Sequence, residues 1–337
     1  MIYITGANGW LGLNLVKSIL SGITAEWGLE KEKICAFILE GTSKKELLNL
    51  DPDISIVEGN ISNTLDLDRF LSNAKNSLLF HTAGIIHPRK VSEFYKVNTI
   101  GTENLLKAAS KFSIKRAVIM SSNSPCGCNT SRENLFDEKS PYNPYMHYGK
   151  SKEKMEKIAN DLYSKGLLDL SVIRSPWFYG PFQPARQKLF FEMIRTGKVP
   201  IVGSGQNIRS MGYTENLVQG MTLAATKDIA SGETYWIADQ SPYSMNEIVS
   251  TIENLLSEKF GQKCSYKRFK LPNIVSDIAE KLDFSLQSIG VYNKKIHVLS
   301  EMNKNIACSI EKAIKDLGFK PKFSLEKGME MSLKELY

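Results

Sequence analysis

The chain opens on four residues of strand character, Ile2-Tyr3-Ile4-Thr5. It turns at once through Gly6-Ala7-Asn8-Gly9-Trp10-Leu11-Gly12 into an apolar run over 11–20. This junction constrains the fold more than any other stretch. Glycine serves where backbone must bend sharply or let another group come close. Three glycines spaced by two residues, between a strand and a helix N-terminus, turn free amides and a positive dipole end toward one point. That arrangement suits a pyrophosphate. The spacing differs from the G-x-G-x-x-G turn. Position between strand and helix, rather than glycine content, carries the reading.

The first half then alternates β-rich and helical stretches. Strands are expected at Ile2–Thr5, Ile34–Leu39, 54–57, 78–82, 117–121 and Leu170–Arg174, with helices over 11–20, 98–111 and 148–163. Alternation of this kind predicts an α/β fold, a Rossmann-type doubly wound parallel sheet covered on both faces. Beyond Pro176 the pattern loosens, with helices expected over 188–196, 216–225 and 310–318 and a β run over 233–238. The expected division is a dinucleotide-binding part over 1–175 with a return segment at about 212–240. A smaller, discontinuous substrate lobe takes 176–211 and 241–337.

Composition adds bounds. The net charge of +7 is spread along the chain and fits an anionic small ligand as well as a solvated basic surface. No basic run suggests nucleic-acid binding. No apolar stretch is long enough to cross a bilayer, and a strand at residue 2 leaves no room for a signal peptide. Five cysteines without framework spacing read as reduced thiols, so a cytoplasmic protein is expected. Cys126-Gly127-Cys128 with His147 lacks a second ligand pair, and no metal is expected.

The chemistry is carried by Tyr148 and Lys152, which at i and i+4 share one helix face. A free tyrosine has a pKa of about 10. A neighbouring ammonium and an oxidised nicotinamide ring are expected to lower it, so that the phenolate takes a hydroxyl proton as hydride leaves the carbon. Ser122, closing Ile119-Met120-Ser121-Ser122, is placed to hold the same substrate oxygen. Asn123 and Ser124 continue from it as expected substrate contacts. His87, after the turn at Ala83-Gly84, reads as a turn-stabilising residue, with a place facing substrate as the alternative.

These residues together resemble the extended short-chain dehydrogenase/reductase superfamily, of the NAD-dependent epimerase/dehydratase type. His81-Thr82-Ala83-Gly84 resembles the motif under the adenine ribose, and Asn98-Thr99-Ile100-Gly101-Thr102 the segment that steadies it. Arg174-Ser175-Pro176-Trp177-Phe178-Tyr179-Gly180-Pro181 resembles the turn beside the nicotinamide. Gly203-Ser204-Gly205, Arg209 and Tyr213 resemble the later substrate-lobe motif, and Lys312-Ala313 through Leu317-Gly318-Phe319-Lys320-Pro321 the closing helix and turn. The resemblance implies Ser122, Tyr148 and Lys152 as catalytic residues. It implies NAD contacts at Gly6, Gly9, Trp10, Leu11, Gly12, Asn60, Ile61, Thr82, Ala83, Gly84, Asn98, Ser121, Tyr148, Lys152, Ser175, Pro176 and Phe178. Glu40, just past the second strand, would bind the ribose diol and favour NAD; Lys44 and Lys45 keep NADP open.

The resemblance further implies hydride transfer at a secondary alcohol, on a nucleotide sugar a 4-epimerisation or keto-reduction. Asn60 stands where the family usually has aspartate. Asn123-Ser124 replaces the Asp-Glu pair of the sugar 4,6-dehydratases, which argues against dehydration. Trp177 replaces an asparagine that contacts diphosphate, whereas Arg209 matches an arginine that binds phosphates, with Arg186 a second donor fork. The alternative is a reductase or dehydrogenase of a hydrophobic, 3β-hydroxysteroid-like alcohol or ketone. A non-catalytic dinucleotide binder would have no physical need for Ser122, Tyr148 and Lys152. Ile274, Val275, Ile278, Ala279 and Leu282 have helical spacing and read as a core-facing helix, with a pocket wall or a membrane contact as alternatives. A homodimer through the helices near 98–111 and 148–163 is expected by the same resemblance.

Overall fold

A computed structural model describes all 337 residues. The first half runs β1 (Ile2–Thr5), α1 (Trp10–Ser21), β2 (Ile34–Leu39), α2 (Lys45–Leu50), β3 (Ser55–Gly59), α3 (Thr64–Leu71), β4 (Leu78–His81), α4 (Val91–Phe94), α5 (Thr102–Lys111), β5 (Arg116–Met120), α6 (Met146–Ser164) and β6 (Leu170–Arg174). It continues through β7 (Trp177–Tyr179), α7 (Ala185–Arg195), β8 (Pro200–Val202), β9 (Ile208–Arg209), β10 (Met211–Tyr213), α8 (Thr214–Thr226) and β11 (Thr234–Trp236). The remainder is β12 (Tyr243–Ser244), α9 (Met245–Asn254), β13 (Phe269–Leu271), α10 (Asn273–Ser288), α11 (Lys294–Glu301), α12 (Glu311–Leu317) and α13 (Leu325–Leu333).

Seven strands form one sheet in the order β3-β2-β1-β4-β5-β6-β11. Every pairing is parallel, including β11 on β6, which brings the chain back to the sheet after the long excursion that follows β6. Strands this apolar, buried on both faces, require helices on both sides. On one face α1, α8 and α12 close a core holding Leu15, Leu217, Trp236 and Leu317; on the other α3, α5 and α6 close one holding Phe70, Leu105 and Met155. The order reverses at β1 and β4, and the crevice above their carboxyl ends is where such sheets take ligands.

A third core gathers Tyr179, Phe191, Met211, Tyr213, Ile248 and Met329 from α7, β7, β10, α9 and α13. It builds a smaller body over that crevice. The stretch from Cys308 to Phe319, expected with the substrate lobe, packs Ile310, Ala313, Leu317 and Phe319 into the sheet core instead. The helix expected over 98–111 starts earlier and changes pitch: α4 runs into a π-helical stretch, Tyr95–Gly101, before α5. Such a wide turn commonly marks a functional position, and this one carries Asn98. The groove between α5 and α6, the face expected to dimerise, is lined by Glu103, Lys107, Lys157 and Asp161 around Ile158 and Leu162.

α10 departs from expectation. Its apolar stripe is split: Ile274, Ile278 and Leu282 are 61%, 59% and 46% exposed, whereas Val275 is half-buried and Ala279 is buried together with Ser276, Asp283 and Gln287. Periodicity identifies an apolar face but not the direction in which it points. Here three buried polar side chains with partners on α11 and α6 take most of the inner face.

Candidate active site

The glycine turn is built by close packing. Gly6 has φ +67°, and a Cβ on Gly12 would lie 2.2 Å from the Gly6 carbonyl oxygen. Gly9 precedes α1 in extended conformation, with no side-chain cap and no acidic residue in the first turn. The leading amides of a twelve-residue helix are therefore spent on no side chain and face the crevice, which is what a dinucleotide pyrophosphate requires. Asn8 Nδ2 donates to Thr42 Oγ1 (2.8 Å) and to the Ser43 carbonyl, tying the turn to the loop after β2. Glu40, the expected ribose-diol acceptor, sits exposed in that loop. Lys44, a candidate partner for a 2′-phosphate, is ion-paired with Glu58, which favours NAD.

The other expected cofactor residues surround the same crevice. Thr82 donates to the Thr5 carbonyl at 2.8 Å, and Ala83 lies directly against Gly6. Asn60 Oδ1 accepts from Ser62 N at 2.9 Å, using one of its two lone pairs. Ile61 is buried against Gly101. Asn98 clamps the loop after β4, accepting from Ile85 N (2.8 Å) and donating to Ile85 O (2.9 Å). Trp10 Nε1 donates to Pro181 O at 2.7 Å, and its ring packs 4.9 Å from that of Phe178. The glycine turn and the proline-rich turn holding Ser175, Pro176 and Phe178 are thus one unit.

α6 delivers Tyr148 to this unit. Gly149 is required there, because a Cβ would lie 2.4 Å from the Ser124 carbonyl oxygen; the helix presses onto the loop that follows β5. Ser122, Asn123, Ser124 and Tyr148 then line a cavity of about 450 Å³ together with Ser121, Trp177, Arg186 and Arg209. Burial pushes the Tyr148 phenol up to about 12, with the Ser122 hydroxyl working the other way. The lowering expected from Lys152 is absent in the protein alone. Lys152 Nζ donates to Met120 O at 2.9 Å, and burial brings its own pKa down to about 8. It lies beside Gly84, where a Cβ would come within 3.5 Å of Nζ. The protein alone therefore favours a protonated phenol at neutral pH, and the positive ring of oxidised NAD, once bound, would favour its ionised form.

Beneath the site lies a pair that sequence reading missed. Arg174 and Glu156 are both almost fully buried and bond at 2.7 Å, with Ser121 Oγ and Tyr142 Oη also donating to the Glu156 carboxylate. The guanidinium ties the end of β6 to α6, and so the proline-rich turn to Tyr148.

A second missed group faces the cavity. His297 on α11 is 94% buried; its Nδ1 bonds Asp283 Oδ2 at 2.7 Å, and the ring lines the cavity. Gln287 Nε2 also donates to that Asp283 oxygen, at 2.9 Å. Burial works to lower the His297 pKa, but the bond to Asp283 and the charges of Glu301 and Asp283 outweigh it, and the net shift is upward. Lys294 and Arg186 line the same cavity, and each is lowered by burial, Lys294 also by the charge of Arg186. Neither forms an ion pair. His87, read from sequence as turn-stabilising, lines the cavity and bonds Tyr292 Oη at 2.8 Å; burial and the nearby cations bring it down to about 4, hence neutral. Arg209 lines the cavity and donates to Glu301 O at 2.5 Å. No spacing rule joins His297 to Asp283 or Arg174 to Glu156, because each pair meets only in the fold.

Comparison with known proteins agrees with this fold. The NAD dependent epimerase/dehydratase family matches residues 2–238. A protein of Sinorhizobium fredii, y4nL, uncharacterized, is 44% identical over 99% of this chain and 94% of its own length. The N-acetyl-alpha-D-glucosaminyl-diphospho-ditrans,octacis-undecaprenol 4-epimerase of Escherichia coli O157:H7 is 25% identical over 98% of this chain and 94% of its own. The dTDP-glucose 4,6-dehydratase of Streptomyces venezuelae, crystallised with NAD and TYD, superposes with a TM-score of 0.78 at 21% identity, covering 99% and 95% of the two chains. The chain belongs to the NAD-dependent epimerase/dehydratase family and is an NAD-dependent enzyme of the extended short-chain dehydrogenase/reductase type.

Proposed function

We propose that this protein is a 4-epimerase of a sugar carried on a diphosphate. The observation that supports it is one cavity holding Ser122 and Tyr148 together with the unpaired cations Arg186 and Lys294 and the donor His297. Arg186 is half-buried and Lys294 exposed, and neither forms an ion pair, so both are free to meet the phosphates of a ligand. NAD, which the glycine turn and the loop after β4 would hold, would supply reversible hydride acceptance at the carbon bearing the hydroxyl. Tyr148 takes the hydroxyl proton, Ser122 holds the same oxygen, and Lys152 stands behind the phenol. The keto sugar turns within the cavity, and Tyr148 then gives the proton back. Ser124 and Asn123 stand beside Ser122 in place of a dehydratase's acid and base, so the sugar keeps its other hydroxyls. Gly6, Gly9, Gly12, Glu40, Asn60, Thr82 and Asn98 hold the cofactor in this reading, and Arg209 stands with Arg186 at the substrate.

A specific observation favours a second reading. Trp177, Phe190, Met193, Pro200 and Met245 give the cavity a broad apolar wall, which suits keto-reduction of a hydrophobic ketone. A panel separates the two. With NAD-loaded enzyme, UDP-glucose, UDP-N-acetylglucosamine and polyprenyl-diphospho-N-acetylglucosamine are followed by NMR for inversion at C4. Inversion of any of them supports the proposal. Inversion of none, with NADH consumed on a hydrophobic ketone, replaces it with the second reading.

The anion-binding role gives its own expectation. His297→Gln should raise KM about tenfold to a hundredfold with kcat changed far less, the range for losing a charge-assisted hydrogen bond. The raised pKa sets the sign of the pH dependence. Imidazolium is present below it, so the wild-type KM should rise as pH climbs past the ordinary histidine value of about 6.5 and through the folded one. The variant should lose that rise. A KM for the variant that tracks the wild-type pH profile would remove His297 from substrate binding.

A further inference from the structure

The buried side of α10 is largely polar beside Ala279: Ser276 donates to Leu299 O and Ser300 O, Asp283 holds His297, and Gln287 Oε1 accepts from His147 N. Its outer side carries an apolar row, Ile274, Ile278 and Leu282 one helical turn apart with Ile289 just beyond its end, 74% exposed, flanked by the exposed Asp277, Lys281, Ser285 and Ser288. Phe269 on β13 and Phe284 add rings that are 60% and 62% exposed. Single exposed apolar residues are ordinary, but clustering is not. Residues 266–298, about a tenth of the chain, hold nine of its 22 exposed large hydrophobic side chains.

The charges around this face select its occupant. Residues 263–298 carry seven lysines and arginines against three carboxylates. Of those carboxylates, Asp283 is buried on His297, and Asp277 and Glu280 are engaged by Lys304. Lys263, Lys267, Lys270 and Lys281 are exposed and form no ion pair. A second copy meeting this face across a twofold axis would set those lysines against their own counterparts. A layer of anionic lipid headgroups over acyl chains matches both features: apolar side chains enter the boundary, and lysines reach up to the phosphates. No helix of the protein is long and apolar enough to cross a membrane, so contact would be from one side.

The apolar belt also reaches the cavity. Val291, exposed, follows Ile289, and its neighbour Tyr292 donates to Ile86 O at 3.4 Å. Ile86, Leu189 and Val298 line the cavity and are themselves exposed.

We propose that the outer face of α10, with Phe269 and the lysines around it, docks this enzyme on an anionic lipid bilayer with its cavity mouth beside the surface. The inference goes beyond the epimerase reading and rests on different residues. The test is co-sedimentation of the full chain with extruded vesicles of phosphatidylglycerol and phosphatidylcholine in equal parts, and with phosphatidylcholine alone. Wild type should partition to the anionic vesicles, and salt should weaken the binding. The double variant I278D/L282D and the pair K270E/K281E should each partition about tenfold or more weakly. Both should keep wild-type NAD affinity and thermal unfolding, because these side chains touch neither cofactor nor core. Equal partitioning of variants and wild type, or no partitioning of wild type, overturns the proposal. So does light scattering that shows a dimer broken by I278D/L282D without vesicle binding. None of these outcomes depends on which sugar is turned over.

Discussion

Tyr148→Phe should lower kcat by about 10²–10⁴-fold, the usual contribution of a positioned acid–base group, while NAD still binds. The substitution removes one oxygen and little else. The ring packs 5.7 Å from that of Phe94, a contact phenylalanine keeps. Thermal unfolding should therefore stay close to wild type, which separates lost chemistry from lost fold. The pH profile follows from the burial that pushes this phenol up to about 12 in the protein alone. The proton-accepting form gains population as pH rises, so hydroxyl oxidation should speed up with pH, and the variant's residual rate should not. Unchanged turnover in Tyr148→Phe would mean that this chain binds the dinucleotide without using the phenol.

Glu156→Leu should cost about 3–5 kcal/mol of stability, seen as a lower urea midpoint, because it leaves the Arg174 guanidinium buried and unpaired. Against a total of about 5–15 kcal/mol that is a large fraction. Arg174 is already short of partners, since its Nη1 makes no hydrogen bond. The double variant Glu156→Leu with Arg174→Leu should recover much of the loss, since removing both charges leaves neither to be buried alone. A single variant as stable as wild type would show that the pair is not what joins β6 to α6. Activity should fall along with stability in the single variant, because Ser121 and the turn after Arg174 lose their common anchor.

Much of this was legible in the residues. The apolar runs placed all seven sheet strands except for their ends, and the run over 233–238 correctly returned to the sheet as β11. Ser122, Tyr148, Asn123, Ser124, Trp177, Arg186 and Arg209, widely separated in the chain, line one cavity. Motif reading worked there because each residue sits at a strand end or helix start that the fold sends to one crevice. Direction was less legible than position. The i, i+4 relation put Lys152 on the Tyr148 face but could not show that Nζ turns to Met120 O. The stripe on α10 had the right period, but only Ala279 and part of Val275 turn inward, because three polar residues with partners on other elements take the inner face. His297 with Asp283, and Arg174 with Glu156, left no signal because neither pair shares a local pattern. They become visible only when burial removes water and leaves each charge to the partners that the fold brings to it.

The most direct measurement is a crystal structure of the wild-type protein grown with NAD. The reactive carbon of the nicotinamide should stand over the Tyr148 hydroxyl with room between them for one substrate oxygen, the pyrophosphate should lie on the amides that open α1, and Lys152 Nζ should have left Met120 O for the nicotinamide ribose. A nicotinamide lodged away from Tyr148, or crystals that take up no dinucleotide at saturating concentration, would contradict the account.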